Sequence, residues 1–180
     1  MIGFRALSAP AGVAVTALSL LGCAGWRDYG DTYYAPRTGD AADREATYHF
    51  GLPSDAWRPV REVEDVQVAW VNSNLEGVGI IELHAQCDEQ GDSSLDQYTD
   101  HLRIDWDEWS VREQAHTQLI GRAALRTVVD ASLDGIPRRN EFWVVKKNGC
   151  LFDLRYSAGP PDFEAGLGDF AAVVQGFAFP

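Results

Sequence analysis

Residues 110–157 read SVREQAHTQLIGRAALRTVVDASLDGIPRRNEFWVVKKNGCLFDLRYS, and this stretch decides the fold. It divides into four strand-like runs, Ser110–Leu119, Ala123–Leu133, Arg138–Lys147 and Cys150–Ser157. Asn148-Gly149 is the strongest turn between them, because both residues tolerate positive φ and such a pair joins neighbouring antiparallel strands. Gly121-Arg122 and Asp134-Gly135-Ile136-Pro137 divide the other runs. Ala123, Leu125, Thr127, Val129, Ala131 and Leu133 share one side of a period-two pattern. Phe142-Trp143-Val144-Val145 is apolar on both sides, as a strand covered above and below requires. Together the runs predict an antiparallel meander.

Working outward, Pro160-Pro161-Asp162 ends the meander and opens a closing helix whose stripe is Phe163, Leu167, Phe170 and Val174. Gly166, Gly168 and Gly176 weaken that helix, so packing must hold it. On the other side, Ser93-Ser94-Leu95-Asp96 has a carboxylate three residues after a Ser, and Leu95, Tyr98 and Leu102 follow at helical spacing. This predicts a helix near 94–105. Three further strands are expected: Tyr48–Leu52, stopped by Pro53; Val66–Val71, with Val66, Val68 and Trp70 on one side; and Gly77–Ala85, which includes Gly77-Val78-Gly79. The order is strands, helix, meander, helix. That predicts an α+β domain, an antiparallel sheet flanked by helices in an α/β/α sandwich.

The N-terminus has a different texture. Met1–Arg5 carries one positive charge, and Ala6–Leu21 is apolar, interrupted by Pro10, Gly12 and small polar residues. That is the layout of an export peptide, and it is short for a membrane span. Its end, Leu20-Leu21-Gly22-Cys23, resembles a bacterial lipobox, although Leu21 is bulkier than the usual residue there. The resemblance implies cleavage before Cys23 and lipidation of its sulfur. Competing readings are an ordinary cleaved signal with an incidental Cys, or an uncleaved anchor. Ala24, where Asp would favour inner-membrane retention, implies the outer membrane, with the domain facing the periplasm. The domain boundaries follow as residues 1–22 for the signal peptide, 23–46 for a lipidated, flexible tether, and 47–180 for a single α+β domain. As a random coil, the tether would span on the order of 25 Å.

Phe50-Gly51-Leu52-Pro53-Ser54-Asp55-Ala56-Trp57, the Ser-Leu start of the predicted helix, Gly121–Leu125 and the aromatic closing helix resemble the Mog/PsbP/DcrB group of sandwiches over about residues 47–178. The spacing from Phe50 to Trp57 is longer than the simple form of that pattern. The resemblance implies a binding or assembly scaffold, and no functional residue of the group carries over onto this chain.

Composition limits the partners. The formal net charge is −12, and losing residues 1–22 removes only Arg5, which leaves −13. An acidic surface repels nucleic-acid phosphates, so no nucleic-acid partner is expected. Once Cys23 is lipidated, Cys87 and Cys150 remain; in an exported chain an even pair at strand ends points to a Cys87–Cys150 bridge. Two separate buried thiols are the plainer alternative.

Candidate chemistry is sparse. His84 and Cys87 have a spacing seen at metal sites, but on a strand they face opposite sides, and no metal ligand set is expected. Asp105-Trp106-Asp107-Glu108-Trp109 sets two indoles beside three carboxylates. Trp106, Asp107, Glu108 and Trp109 therefore form a candidate partner surface, against the duller reading of indoles covering a sheet edge. No catalytic residue and no cofactor is assigned, since nucleophile elbows and phosphate-cradling Gly loops are lacking. The sequence thus predicts a membrane-anchored, non-catalytic binding or accessory module of the bacterial cell envelope, held by the lipid on Cys23 and engaging an envelope protein or complex. The alternatives are an unrecognised hydrolase-like envelope enzyme or a small-ligand or metal carrier.

Overall fold

The computed structural model describes residues 27–29, 32–35, 48–60, 66, 68–75, 77–86, 93–104 and 106–179. Its centre is a seven-stranded antiparallel sheet in the order β4-β5-β6-β10-β9-β8-β7. The strands are β4 (Arg58–Val60), β5 (Val68–Asn72), β6 (Gly79–Gln86), β7 (Glu108–Leu119), β8 (Arg122–Leu133), β9 (Ile136–Lys147) and β10 (Cys150–Ala158). Two helices accompany it, α1 (Leu95–His101) and α2 (Phe163–Gln175). The last four strands are the predicted meander. Each of its turns has two residues at positive φ: Ile120-Gly121, Asp134-Gly135 and Asn148-Gly149. This geometry matches the natural twist of paired strands, which is why the hairpins are tight.

β10 lies mid-sheet and is buried on both sides along most of its length. Its even-numbered residues, Phe152, Leu154 and Tyr156, join Ile81, Leu83, Phe163, Phe170 and Phe177 in the main core. We call that side the α2 face. Its odd-numbered residues point the other way, where Leu151 packs with Val144, Tyr98, Leu95 and Leu102 under α1. Helices therefore cover both sides, as the sandwich reading expects.

A smaller sheet, β1-β2-β3, has β1 (Arg27–Tyr29), β2 (Thr32–Ala35) and β3 (Tyr48–Gly51) in antiparallel register. Sheet structure thus reaches back into residues 23–46, the stretch read as flexible tether. The reason is local: Tyr and Thr favour extended backbone, and β3 offers it a free edge. The chain end closes on β3 as well, through paired hydrogen bonds of 2.8 and 2.9 Å between His49 and Ala178. Residues 1–26 lie outside the described residues.

Three local expectations are corrected. The capping box belongs to Ser94 and Gln97, not to Ser93 and Asp96: Ser94 Oγ accepts from Gln97 N–H at 3.1 Å and Gln97 Oε1 from Ser94 N–H at 3.0 Å. The helix stops at His101 rather than 105, because the backbone changes to tighter bonds, Leu102 to Thr99 and Ile104 to His101. Those turns swing Leu102 and Trp106 onto the sheet. Finally, Gly77 and Val78 form a positive-φ turn and not strand. Arg138, itself buried, holds that turn by donating to the Gly77 and Val78 carbonyls and to Ser157 Oγ.

Candidate functional site

The sequence places its chemistry on the α1 face and along the outer strand β7. Strand parity explains why. In the β7–β8 pair, Trp109 sits opposite Ala131 and Val111 opposite Val129, on the α1 face. Glu108 and Glu113, opposite Ser132 and Val128, lie on the α2 face, and a bulge between Val111 and Glu113 keeps this division on both sides of it.

On the α1 face Trp109 stacks on Phe142 at 5.5 Å between ring centroids, and Trp106 lies 6.5 Å from Trp109. Both indoles pack against Val129, Ala131 and Phe142, and both are half-buried. The four residues singled out from the sequence therefore divide. The indoles roof the sheet beyond the end of α1, while Asp107 and Glu108 face outward. Asp107 also fixes the neighbouring hairpin: its N–H donates to Ser132 O at 3.0 Å and its carboxylate accepts from Gly135 N–H at 3.2 Å. Around the indoles, Ile104, Val111, Leu133 and Ile136 stay exposed, at 73, 51, 46 and 58 %. Exposed apolar groups so close together mark a contact surface more often than chance does.

The opposite side of the same strands carries an ion-pair ladder. Arg126 makes two bonds to Glu141, of 2.9 and 2.7 Å, and one of 2.8 Å to Glu113. Asp130 accepts from Arg139 at 2.6 Å and Arg112 at 2.7 Å; hydrogen bonding from Arg139, with Arg112 adding to it, holds its carboxyl below the usual carboxylate range. At the Glu108 end this face sets four carboxylates against three guanidiniums, and at the other end Arg122 and Lys147 lie over the Phe179 ring.

Beneath α1 lies a feature the sequence did not single out. Asp153 is fully buried and accepts from the Tyr98 hydroxyl and from Arg155. Burial, followed by the charge of Asp153, pushes the Tyr98 hydroxyl well above its ordinary value of 10.0. The group pins α1 to β10. An Asp two residues before an Arg reads as an exposed strand face, so nothing in the pattern revealed the burial. An open cleft of about 580 Å³ adjoins the start of α1, where Lys146 Nζ reaches Ser93 O at 3.2 Å.

Cys23 and Cys87 lie outside the described residues. Cys150 is buried in the main core. His84 stands 3.6 Å from Glu82. Among the described residues, no group of three or more His, Cys, Asp or Glu side chains could hold a metal ion. No described helix is long and apolar enough to cross a membrane.

With its seven-stranded antiparallel sheet, a helix on each face and an aromatic core, the chain is an α+β sandwich of the PsbP-like fold. No family model and no curated protein matches the sequence. Solved structures do match its fold. LpqN of Mycobacterium tuberculosis, described as involved in cell envelope biogenesis, has a TM-score of 0.59 at 15% identity, covering 83% of this chain and 91% of LpqN. Cyanobacterial PsbP (CyanoP) from Synechocystis sp. PCC 6803 has a TM-score of 0.51 at 13% identity, covering 92% and 99%. A Bacteroides thetaiotaomicron protein has 0.54 at 12% identity, covering 84% of this chain and 48% of its own. At these identities the likeness is one of fold.

Proposed function

We propose that this protein is a lipid-anchored module of the bacterial cell envelope that binds another envelope protein and carries out no catalysis of its own. The observation that carries this reading is Leu20-Leu21-Gly22-Cys23 at the end of an apolar leader, ahead of a domain sharing its fold with LpqN, an envelope-biogenesis protein. In this reading the chain is cut before Cys23, the new N-terminus is acylated, and Ala24 directs the product to the outer membrane, facing the periplasm. Multiple acyl chains make the anchoring stable, since each buried CH₂ contributes about 0.8 kcal/mol. Expression of the full chain in a bacterium with the lipoprotein pathway should put it in the membrane fraction, with an N-terminal mass beginning at a Cys23 that carries a thioether-linked diacylglyceryl group and an N-acyl chain. Cys23→Ser should move it to the soluble fraction. A Cys23→Ser chain that stays with the membrane, or a cytosolic chain retaining Met1, rejects the reading.

The export part of the proposal includes a Cys87–Cys150 bridge. Its support is the even pair of cysteines that remains in an exported chain once Cys23 is lipidated, with Cys150 buried on the core face at the start of β10. The bridge would close a long loop and stabilise by roughly 4 kcal/mol in the chain-entropy account. Intact mass after denaturation and alkylation without reductant should show neither cysteine labelled, with both labelled once reductant is added. Two labels without reductant would remove the bridge.

A further inference from the structure

Resting on the binding-module reading, we propose that β7 is the docking strand. An extended segment of a partner protein adds to its open edge as an eighth strand, with apolar side chains on one side and Lys or Arg on the other.

Three observations agree. The first is the contrast between the two edges of the sheet. β4 is three residues long and contains Pro59, which blunts that edge. β7 is twelve residues long, about 40 Å at strand rise, and has no Pro, Gly or Lys. Eleven of its residues are exposed or half-buried. Among the described residues it pairs on one side only, with β8. Its protective devices are the bulge at Arg112 and the charges of Glu108, Arg112 and Glu113, all on or beside the α2 face, which leave the Trp109–Val111 side uncharged.

The second observation is the division of side chains. On the α1 face, β7 presents Trp109 and Val111, and the apolar surface continues through Trp106, Leu133 and Ile136. On the α2 face it presents Glu108 and Glu113, the latter 62 % exposed, while Arg112 between them is held by Asp130 at 2.7 Å. An added strand repeats the period of two, so its alternate residues must meet an apolar stripe on one side and carboxylates on the other. Gln114 and His116 continue the α1 face beyond Val111, and His116 is held 3.1 Å from Asp96. The apolar part of the contact therefore lies at the Trp109 end.

The third is charge. Among the described residues the ion pairs on this face join Arg112, Arg126 and Arg139 to Glu113, Asp130 and Glu141 and leave Glu108 out, and the whole chain carries −12. A second copy brings the same −12, and an anionic lipid surface is likewise repelled. A basic segment is attracted, and alternating cations on one side satisfy Glu108 and the open flank of Glu113. Backbone bonds along the edge provide affinity, while the stripe and the carboxylates set the register.

The test uses the full chain in non-ionic detergent and two fluorescent peptides of equal composition, one alternating Val with Lys and one with the Val and Lys residues in separate blocks. Fluorescence anisotropy reads affinity, and hydrogen–deuterium exchange reads which amides become protected. The alternating peptide should bind more tightly than the block peptide, weaken with added salt, and slow exchange along 108–119 but not along β4. Val111→Lys, at an exposed site, should weaken it at least about tenfold, the equivalent of roughly 1.4 kcal/mol. Equal binding of both peptides, protection elsewhere, or indifference to Val111→Lys overturns the proposal. So does a chain that sediments as a dimer through a β7 already protected without peptide and separated by Val111→Lys, because the occupant is then a second copy. Membrane partitioning of Cys23→Ser is untouched by any of these outcomes, so failure here leaves the anchored-module reading standing and fails only β7.

Discussion

Asp153→Ala should lower the stability of the fold by about 3–5 kcal/mol, the usual cost of removing one member of a buried ion pair. The melting temperature should fall by on the order of 10 °C for a chain of this size. Asp153 is fully buried on the central strand, and its two oxygens serve both Tyr98 and Arg155. Removing it leaves the Arg155 charge and the Tyr98 hydroxyl uncompensated in one place, and these two losses are what make the effect large. Replacing the whole group with Tyr98→Phe, Asp153→Leu and Arg155→Met should recover most of the loss, since no polar group is then stranded. Urea midpoints for the single and triple variants decide the matter; a single variant within about 1 kcal/mol of wild type would mean that the group is not holding α1.

The same group has an alkaline signature. Tyr98 has a folded-state value above the ordinary 10.0, and burial raises Tyr156 to about 12. The unfolded chain loses these protons first. The stabilisation is therefore complete below pH 10 and declines as pH rises, by up to about 1.4 kcal/mol per unit for each tyrosine. Tyr98→Phe should remove one tyrosine's share of that slope, and only above pH 10.

The meander was readable because its turns carry their own chemistry. Asn148-Gly149 fixes one hairpin from two letters and Asp134–Pro137 marks another, although only Asp134-Gly135 forms that turn and Ile136-Pro137 already belong to β9; alternation then fixes which side chains share a face. The first hairpin turn was misplaced by one residue, as Gly121-Arg122 instead of Ile120-Gly121, because a β-branched residue at φ 49° runs against local preference. The pairing of β7 with β8, which sets Leu119 opposite Arg122, imposes it. Gly77-Val78-Gly79 misled for the same reason: its composition suits a strand, and the turn exists because Arg138, about 60 residues away, binds its carbonyls. Trp57 was legible as the end of the Phe50–Trp57 pattern but not its anchor, Asp169, which accepts the indole N–H at 2.8 Å and Ser54 N–H at 2.8 Å from across the chain. Of the candidate surface, the local residues Trp106–Trp109 were visible as an oddity. The stripe they form with Leu133 and Ile136 depends on register, which one sequence does not display.

Glycine positions give the sharpest remaining contrast, because one substitution should act with opposite signs along a single helix. A Cβ at Gly51 would lie 2.1 Å from the Ala172 carbonyl oxygen, and one at Gly176 would lie 2.4 Å from Gly51 N. Both obstacles are backbone, so β3 and the end of α2 can approach only through this glycine pair. Gly51→Ala or Gly176→Ala should cost about 1–3 kcal/mol or more, as overpacking does when no side chain can move aside. At Gly166 the obstacle is the Tyr156 hydroxyl, 2.2 Å from the added Cβ, and that hydroxyl donates to Phe163 O at 2.9 Å. Gly166→Ala should therefore destabilise, and Tyr156→Phe in the same chain should return part of the loss by deleting the clashing oxygen. Nothing lies within 4 Å of a Cβ at Gly168, two residues further along α2. There the ordinary helix preference acts alone, and Gly168→Ala should stabilise by about 0.5–1 kcal/mol. Thermal melts of the four single variants and the double variant measure this directly. If Gly168→Ala and Gly51→Ala shift the midpoint in the same direction, the close contact between β3 and α2 is not what orders the core.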